Sequence, residues 1–246
     1  MHEHIVSAYE DELSELGSKI ARMGGLAEKQ LLDATDALRH LDTAKAKAVI
    51  NSDKAIDEIE REVEEQAILM IARRQPMALD LREIMAAIRI AADLERIGDL
   101  AKNIAKRVGS LNGEHQPKRL IHGIGHMSHL ALEQLSLVLD SYAQKEVDKA
   151  VHVWEQDEKI DAMYTSVFRE LLTYMMEDPR KITPCTHLLF AAKNIERIGD
   201  HATNIAETIY FLVNGEPLSD ERPKSDASPY TKMSIDALDD ANGASD

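Results

Sequence analysis

The sequence of this chain contains an internal duplication. The pentapeptide Glu-Arg-Ile-Gly-Asp occurs at residues 95–99 and returns at residues 196–200. The likeness continues beyond it, since Ala-Lys-Asn-Ile-Ala at 101–105 corresponds to Ala-Thr-Asn-Ile-Ala at 202–206. A segment that recurs after about one hundred residues indicates two copies of one structural unit. Each pentapeptide is therefore expected at the same place in its own unit.

The composition indicates that both units are helical. Aromatic residues make up 4% of the 246 residues, and the chain contains only 11 glycines and 7 prolines. A chain that is poor in these residues and rich in helix formers is typical of all-α proteins. The sequence therefore predicts an all-α fold.

Charge and cysteine content limit the partners and the compartment. The formal net charge of −15 argues against nucleic acid or an anionic membrane surface as the main partner, because both select basic surfaces. A single cysteine excludes a disulfide framework and indicates a reducing compartment. The N-terminus has no signal-peptide pattern, and no apolar run approaches the roughly 18 residues of a membrane span. These features predict a cytoplasmic protein.

Hydrophobic spacing predicts three long helices in each half. Apolar residues recur at steps of three and four through residues 13–41, where Gly24-Gly25 is expected to interrupt and bend the first helix. Helices are also expected at 43–74 and 78–108, with a turn between them because Pro76 pushes the preceding residue out of the α region. In the second half Asp178-Pro179 makes the corresponding turn, and the expected helices span 118–143, 147–176 and 183–213.

The predicted organisation is two tandem three-helix bundles and a tail. The bundles span residues 1–112 and 113–215, and the linker between them contains Gly109, Gly113 and Pro117. Residues 216–246 contain three prolines, many serines and aspartates, and few apolar residues. That composition predicts a disordered acidic tail.

The acids of the pentapeptides lie on the apolar stripe of their helix. Glu95 and Asp99 are four residues apart, so on a helix they share a face and lie about 6 Å apart along the axis. Leu81, Ile84 and Ile88 fall on the same stripe, and Glu196 with Asp200 has the same relation to the apolar residues before it. Carboxylates facing a core are costly unless they are paired, protonated or bound to metal.

A second acid pair faces each of these pairs across a helical hairpin. Asp57 and Glu95 both lie 19 residues from Pro76, and Asp53 and Asp99 both lie 23 residues from it. Antiparallel helices therefore place these carboxylates at matched heights, and the second half repeats the match to within a residue. The two predicted quartets are Asp53, Asp57, Glu95 and Asp99, and Asp157, Asp161, Glu196 and Asp200.

Two interpretations of the quartets follow. All-oxygen ligand sets suit hard or borderline cations, so each quartet is a candidate site for iron, manganese, magnesium or zinc. Alternatively, basic residues such as Arg96, Lys102 and Arg197 neutralise a solvated acidic face. The duplication and the position on apolar stripes favour metal. Gly98 and Gly199, which are unfavourable inside a helix, predict a close approach by a neighbouring helix or site.

These motifs resemble one protein family. The two Glu-Arg-Ile-Gly-Asp segments, the stretch Arg-Arg-Gln-Pro-Met-Ala-Leu-Asp-Leu-Arg at 73–82 and the duplicated three-helix plan closely resemble the PhoU family, over about residues 1–215. The resemblance implies a cytoplasmic, usually homodimeric, non-enzymatic regulator of phosphate uptake. It further implies metal clusters held on the paired Glu/Asp-x-x-x-Asp motifs, which places the metal on the two quartets.

The resemblance also implies partners. Members of the family link a phosphate ABC transporter, through its ATPase subunit, to a sensor histidine kinase, and keep the phosphate-starvation response off when phosphate is plentiful. The expected relation to the membrane is therefore indirect, through these partners.

A different class of function is also open, a carboxylate-bridged di-metal enzyme or a metal-storage protein. Helical di-metal enzymes use Glu-x-x-His motifs, and none accompanies these acid pairs.

Three other groups of residues are candidate sites. His122, His126 and His129 share one helical face, but that face lies opposite an apolar stripe and is expected to be exposed. Cys185 is expected to be a small core residue rather than a nucleophile. For Arg73 and Arg74 two roles stay open, contact with a partner or phosphate and complementing the helix dipole.

Overall fold

The chain is described by a computed structural model that covers residues 2–111 and 118–218. Over these residues the chain is helical, which confirms the predicted fold class. The predicted tail from residue 219 onward and most of the predicted linker lie outside the described residues. The helices are α1 (His2–His40), α2 (Thr43–Ser52), α3 (Lys54–Arg74), α4 (Leu79–Leu111), α5 (Lys118–Gln144), α6 (Val147–Glu155), α7 (Asp157–Glu177) and α8 (Ile182–Asn214), with a 3₁₀ turn at Pro179–Lys181 between α7 and α8.

Helix ends follow ordinary capping chemistry. Asp42 begins α2, and its side chain accepts hydrogen bonds from the backbone N–H of Ala44 and Lys45 at 3.0 and 2.9 Å. The predicted turn at Pro76 separates α3 from α4, and the turn at Pro179 separates α7 from α8. Gly215, with φ 79°, ends α8 as predicted, because a glycine adopts this left-handed conformation without steric cost.

Two predicted helices are each broken about one third of the way along from their N-terminus. The helices expected at 43–74 and 147–176 are interrupted at Asp53 and Gln156. There the backbone N–H of Ile56 and of Lys159 donates three residues back, to the carbonyls of Asp53 and Gln156 at 2.9 and 3.1 Å. Such tightened turns are 3₁₀-like. Neither break contains glycine or proline, so the prediction of continuous helices was wrong for lack of a local signal.

Two glycine-based expectations are also corrected. The helix α1 runs without interruption through Gly24-Gly25, and α4 continues past Gly109 to Leu111. A Cβ atom on Gly24 would lie 2.6 Å from Leu139 Cδ2 of α5. Gly24 therefore allows α5 to approach α1 closely rather than ending the helix.

Four helices form the centre of the molecule. α1 packs on α4, α4 on α8, α8 on α5, and α5 on α1, and α4 with α8 makes the most extensive of these contacts. The segments α2–α3 and α6–α7 pack outside them, against α1 with α4 and against α5 with α8 respectively. Each half is therefore a three-helix bundle whose middle arm is kinked, which confirms the tandem repeat.

The core is almost entirely aliphatic. Large side chains of α4 such as Ile90, Leu94 and Ile97 have no exposed surface, and the same holds for Ile195 and Ile198 of α8. Because α4 and α8 carry the pentapeptides, their acids border this core. None of the helices described is both long and apolar enough to span a membrane.

Candidate metal centres

The first quartet assembles where the kinked arm meets α4. Asp53 lies at the kink and Asp57 one turn later, while Glu95 and Asp99 face them from α4. The Lys102 ammonium bridges the two arms, since its Nζ donates to Asp99 Oδ1 at 2.5 Å and also to Asp53 Oδ2. Burial raises the pKa of Glu95, and the charges of Asp99, Asp57 and Asp53 raise it further because these groups lie nearby. The hairpin register thus places all four carboxyl groups in one region.

The second quartet repeats this arrangement at greater depth. Asp157 directly follows the α6–α7 break, and Thr203 of α8 donates to its Oδ1 at 3.1 Å. Burial raises the pKa of Glu196, and the nearby charges of Asp200 and Asp161 act in the same direction. Asp157, Asp161 and Glu196 are 3%, 4% and 6% exposed, whereas Asp53 is the only equally buried member of the first quartet.

Burial singles out the predicted residues. Among the described residues, every buried Asp or Glu belongs to the two quartets: Asp53, Asp157, Asp161 and Glu196. A buried carboxylate is costly without a compensating charge or hydrogen bond. Glu196 Oε2 is buried without a hydrogen-bond partner, although its Oε1 accepts from Lys193 at 2.8 Å. Four of the eight acids predicted from the repeat are therefore buried by the fold.

In three of the carboxyl groups, Asp53, Glu95 and Glu196, burial favours the protonated form or a nearby cation. Burial raises the pKa of Asp53, and the Lys102 hydrogen bond only partly offsets this. Burial, followed by the charge of Asp99, raises the pKa of Glu95. Burial also raises the pKa of Glu196 despite the hydrogen bond from Lys193. In each case desolvation penalises the ionised form.

A buried glutamine stands beside each quartet. Gln30 of α1 and Gln134 of α5 are 4% and 7% exposed, and the side-chain oxygen Oε1 of each has no hydrogen-bond partner. Their amide nitrogens reach the kinks, where Gln30 Nε2 donates to Ser52 Oγ at 3.4 Å and Gln134 Nε2 to the Gln156 carbonyl at 3.1 Å. Each glutamine thus has a buried acceptor oxygen, Oε1, that receives no hydrogen bond.

The pentapeptide glycines make room for this arrangement. A Cβ atom on Gly98 would lie 3.1 Å from Gln30 Oε1 and 3.6 Å from Asp53 Oδ1. A Cβ atom on Gly199 would lie 3.4 Å from Gln134 Oε1. The predicted close approach at both glycines is confirmed. The nearest atoms are Ile56 Cδ1 at 3.0 Å from a Cβ on Gly98 and Ile160 Cδ1 at 2.8 Å from a Cβ on Gly199, and the unpartnered amide oxygens lie next to them.

The oxygen ligands of the quartets suit a hard cation, but their side chains do not converge on one point in the structure described here. Carboxylate and amide oxygens are the ligands that Mg²⁺ and Mn²⁺ prefer. As the described side chains stand, no group of three or more His, Cys, Asp or Glu is arranged to hold a metal ion. The residues that would hold such an ion are the carboxyl groups of the two quartets, and in the first quartet Lys102 already contacts Asp53 and Asp99.

Sequence reasoning missed several residues of these sites. Gln30 and Gln134 are 104 residues apart, the same interval as Asp53 and Asp157, so the repeat itself contained the signal. Glu60 also borders the first quartet, where burial and the Glu95 charge raise its pKa. The same offset of 104 residues leads from Glu60 to Tyr164, so the fifth acid has no second copy.

The other groups take ordinary positions. The predicted exposure of His122, His126 and His129 is confirmed, and Cys185 is a buried core residue as predicted. Arg74 is paired with Glu12, with Nη2 to Oε1 at 2.8 Å and Nε to Oε2 at 3.2 Å. This pair anchors the end of α3 to α1.

Replacing Glu196 with glutamine is expected to raise the melting temperature of the metal-free protein at pH 7 by about 2–4 °C. The raised pKa means that the folded state binds this proton more tightly than the unfolded state, so ionised Glu196 opposes folding. Stability gained through Glu196 is therefore present near and below pH 4.5 and is lost as the pH rises through the folded-state pKa.

The advantage of Glu196→Gln should accordingly shrink as the pH falls from 7 toward about 4.5, the usual carboxyl range. Thermal melts with a chelator at several pH values measure this difference. The matched control is Glu65→Gln, since Glu65 is exposed on α3. If the difference in melting temperature between wild type and Glu196→Gln did not change with pH, the raised pKa of Glu196 in the folded state would be contradicted.

Comparison with known proteins identifies the repeat. The PhoU domain family matches residues 20–108 and 124–209. A phosphate-specific transport system accessory protein PhoU homolog of Rhizobium meliloti (strain 1021) is 60% identical over 225 residues, covering 92% of this chain and 95% of that protein. The accessory protein PhoU of Escherichia coli (strain K12) is 38% identical over 217 residues, covering 88% and 89% of the two chains.

Solved structures agree with the sequence comparison. The crystal structure of PhoU from Pseudomonas aeruginosa superposes with a TM-score of 0.82 at 39% identity, covering 85% of this chain and all of that one. The phosphate transport system regulatory protein PhoU from Streptococcus pneumoniae gives a TM-score of 0.80 at 28% identity, covering 86% and 99%. The matches extend over both halves of the molecule and include both quartets. This chain belongs to the PhoU family.

Proposed function

We propose that this chain is a metal-binding regulator of phosphate uptake and a negative regulator of the phosphate-starvation response. It acts as an adaptor between the ATPase subunit of a phosphate ABC transporter and a sensor histidine kinase. It works as a cytoplasmic homodimer without enzymatic activity and meets the membrane only through its partners. The regulatory role rests on membership of the PhoU family. A phosphate-specific transport system accessory protein PhoU homolog aligns with 92% of this chain.

The metal-binding part of the proposal rests on the two quartets. Four of their eight carboxyl groups are buried, and a buried amide oxygen without a partner lies against each quartet. A divalent cation, when bound, would add positive charge beside these oxygens and offset the cost of burying the carboxylates. The chain's own contribution is positional, because each quartet joins the kinked arm of a bundle to α4 or α8. Metal loading would therefore tie the outer arm of each bundle to the central helices.

Deleting the gene is expected to leave phosphate-regulated genes expressed at high phosphate and to disturb phosphate uptake. The reason is that an adaptor transmits transporter status to the kinase, and its loss removes the repressing signal. Reporter expression and radiolabelled phosphate uptake in replete and starved cells measure both effects. Complementation with the wild-type chain should restore repression, and unchanged expression and uptake in the deletion strain would refute the regulatory role.

Affinity capture tests the adaptor mechanism directly. The tagged full-length protein is isolated after mild cross-linking from replete and starved cells, and the bound proteins are identified by mass. Recovery of the transporter ATPase subunit and the histidine kinase, in amounts that change with phosphate, is expected. Recovery of neither, together with phosphatase turnover or oxygen consumption by the metal-loaded protein that Glu95→Ala and Glu196→Ala abolish, would favour a di-metal enzyme instead.

A further inference from the structure

Two buried glutamines occupy equivalent places beside the quartets. Gln30 belongs to α1 and Gln134 to α5, so each lies on the first helix of its bundle. Among the described residues, four buried side-chain polar atoms have no hydrogen-bond partner: Gln30 Oε1, Gln134 Oε1, Glu196 Oε2 and Tyr9 Oη. Glu196 is itself a quartet acid, so three of these four atoms lie at the quartets. Unsatisfied polar groups of the described fold are therefore concentrated there.

The orientation of the Gln134 amide follows from its hydrogen bond. Its Nε2 donates to the backbone carbonyl of Gln156 at 3.1 Å, at the break between α6 and α7. A carbonyl oxygen only accepts, so exchanging the two ends of the amide would place oxygen against oxygen. Oε1 therefore lies on the other side, beside Gly199, where a Cβ atom would be 3.4 Å from it.

The Gln30 amide is oriented in the same way. Its Nε2 donates to Ser52 Oγ at 3.4 Å, and the Ser52 hydroxyl donates to the Val49 carbonyl at 2.9 Å. Because the one hydroxyl proton is used, Ser52 Oγ accepts from an amide N–H but has no proton for an amide oxygen. Oε1 lies beside Gly98, where a Cβ atom would be 3.1 Å from it and 3.6 Å from Asp53 Oδ1. The amide oxygen and the carboxylate thus border the same point.

A third glutamine shows what the fold provides where both ends of an amide are satisfied. Gln66 joins α3 to α1, since its Oε1 accepts from Lys19 Nζ at 2.8 Å and its Nε2 donates to the Glu12 carbonyl at 3.0 Å. Leaving a buried acceptor without a donor costs the desolvation of that group. The repetition of that cost in both bundles indicates that the oxygens of Gln30 and Gln134 serve a ligand.

We propose that Gln30 Oε1 and Gln134 Oε1 are metal ligands, each adding a neutral oxygen to the carboxyl groups of its quartet. The proposal rests on the metal-binding role proposed above and adds one ligand to each site. A cation suits these oxygens better than a neutral donor, because the same ion offsets the charge of the buried acids. Carbonyl oxygens together with carboxylates are a ligand set that suits Mg²⁺ and Mn²⁺.

The first test is a Mn²⁺ titration of the metal-free full-length protein, with free Mn²⁺ followed by electron paramagnetic resonance. Gln30→Met and Gln134→Met keep the length of the side chain but remove the amide oxygen. Each is expected to weaken binding at one site by at least about tenfold. Gln66→Met is the matched control and should bind like the wild type. Far-ultraviolet circular dichroism confirms that each variant is folded before titration.

Gln30→Glu and Gln134→Glu separate the amide oxygen from the amide N–H. Each variant retains a side-chain oxygen but loses the donor that reaches the kink. If the oxygen binds the ion, these variants should bind Mn²⁺ at least as tightly as the wild type. Binding weakened as much as in the methionine variants would assign the effect to the N–H at the kink and overturn the proposal.

Electron–nuclear double resonance tests ligation without depending on any variant. The wild-type protein is labelled with ¹³C at the side-chain carbonyl of glutamine and loaded with Mn²⁺. A ligating amide oxygen places its own carbonyl carbon next to the ion, so a ¹³C hyperfine coupling is expected. Gln30→Met and Gln134→Met should each remove part of that signal, and Gln66→Met should leave it unchanged.

The outcomes separate the two proposals. Methionine variants that bind Mn²⁺ as tightly as the wild type, or a loaded wild type without ¹³C coupling, would overturn the role of the glutamines and leave metal binding by the carboxyl groups intact. Absence of any Mn²⁺ binding by the wild type would overturn metal binding for this ion and the glutamine ligands with it. Regulation of phosphate uptake is measured separately in cells and would stand in either case.

Discussion

Mn²⁺ at about one hundred times its dissociation constant is expected to raise the free energy of unfolding by about 2.7 kcal/mol for each quartet that fills. The physical reason is linkage, since an ion that binds only the folded arrangement of four carboxyl groups favours that state. For a chain of this size the melting temperature should rise by about 5–10 °C per filled site. Calorimetric melts with and without Mn²⁺ measure the increase.

The variant carrying Asp157→Asn and Asp161→Asn should lose the share of this increase that belongs to the second quartet. Asparagine keeps the size of each side chain but removes the charge that attracts the ion. Both residues are buried, so the apparent stability of the metal-free protein can change as well. The decisive quantity is therefore the difference between melts with and without Mn²⁺, measured together with bound metal per chain.

A matched control is Asp148→Asn, because Asp148 is an exposed aspartate on α6 outside the quartets. It should retain the full Mn²⁺-dependent increase. Asp99→Ala and Asp200→Ala are expected to lower metal content in the first and second quartet respectively. Equal metal content and equal Mn²⁺-dependent shifts in the wild type and all quartet variants would show that the acids are not ligands.

Replacing Gly199 with valine is expected to lower the free energy of unfolding by about 1–3 kcal/mol, the usual cost of overpacking a core. A Cβ atom at Gly199 would lie 2.8 Å from Ile160 Cδ1, and Ile160 is only 1% exposed, so it has little room to move. Chemical denaturation of the metal-free protein measures the loss, so that metal affinity does not enter the comparison.

A double-mutant cycle assigns the cause. Ile160→Val removes the Cδ1 atom that valine at position 199 would strike, so the double variant should lose less stability than the sum of the two single variants. Gly17→Val is the matched control within a helix, because no described heavy atom lies within 4 Å of a Cβ there. Strict additivity of Gly199→Val and Ile160→Val would show that the contact is not the source of the cost.

Much of the site could be read from the chain because repetition and helical periodicity are local properties. Glu95 and Asp99 fall on an apolar stripe, and Pro76 sets the register that brings Asp53 and Asp57 opposite them. The structure places these groups together and buries four of the eight. The metal ligation inferred from them stays a prediction, as do the homodimer and the domain boundaries.

The kinks could not be read in this way. No glycine or proline marks Asp53 or Gln156, so the periodicity continues through both positions. In the second half Gln134 of another helix donates to the carbonyl at the break, at 3.1 Å. This hydrogen bond comes from the neighbouring helix α5 and competes with the helical hydrogen bonds at the break. Periodicity within one helix does not reveal a contact made by another helix.

Residue type and spacing along the chain are enough to predict the all-α class, the duplication, the hairpin turns and the eight acids of the quartets. The depth at which each quartet is buried, the buried glutamines Gln30 and Gln134, and the position of Lys102 between Asp53 and Asp99 became visible only in the folded chain. Burial and charge neighbourhood depend on which helices pack together, and that packing is a property of the whole fold.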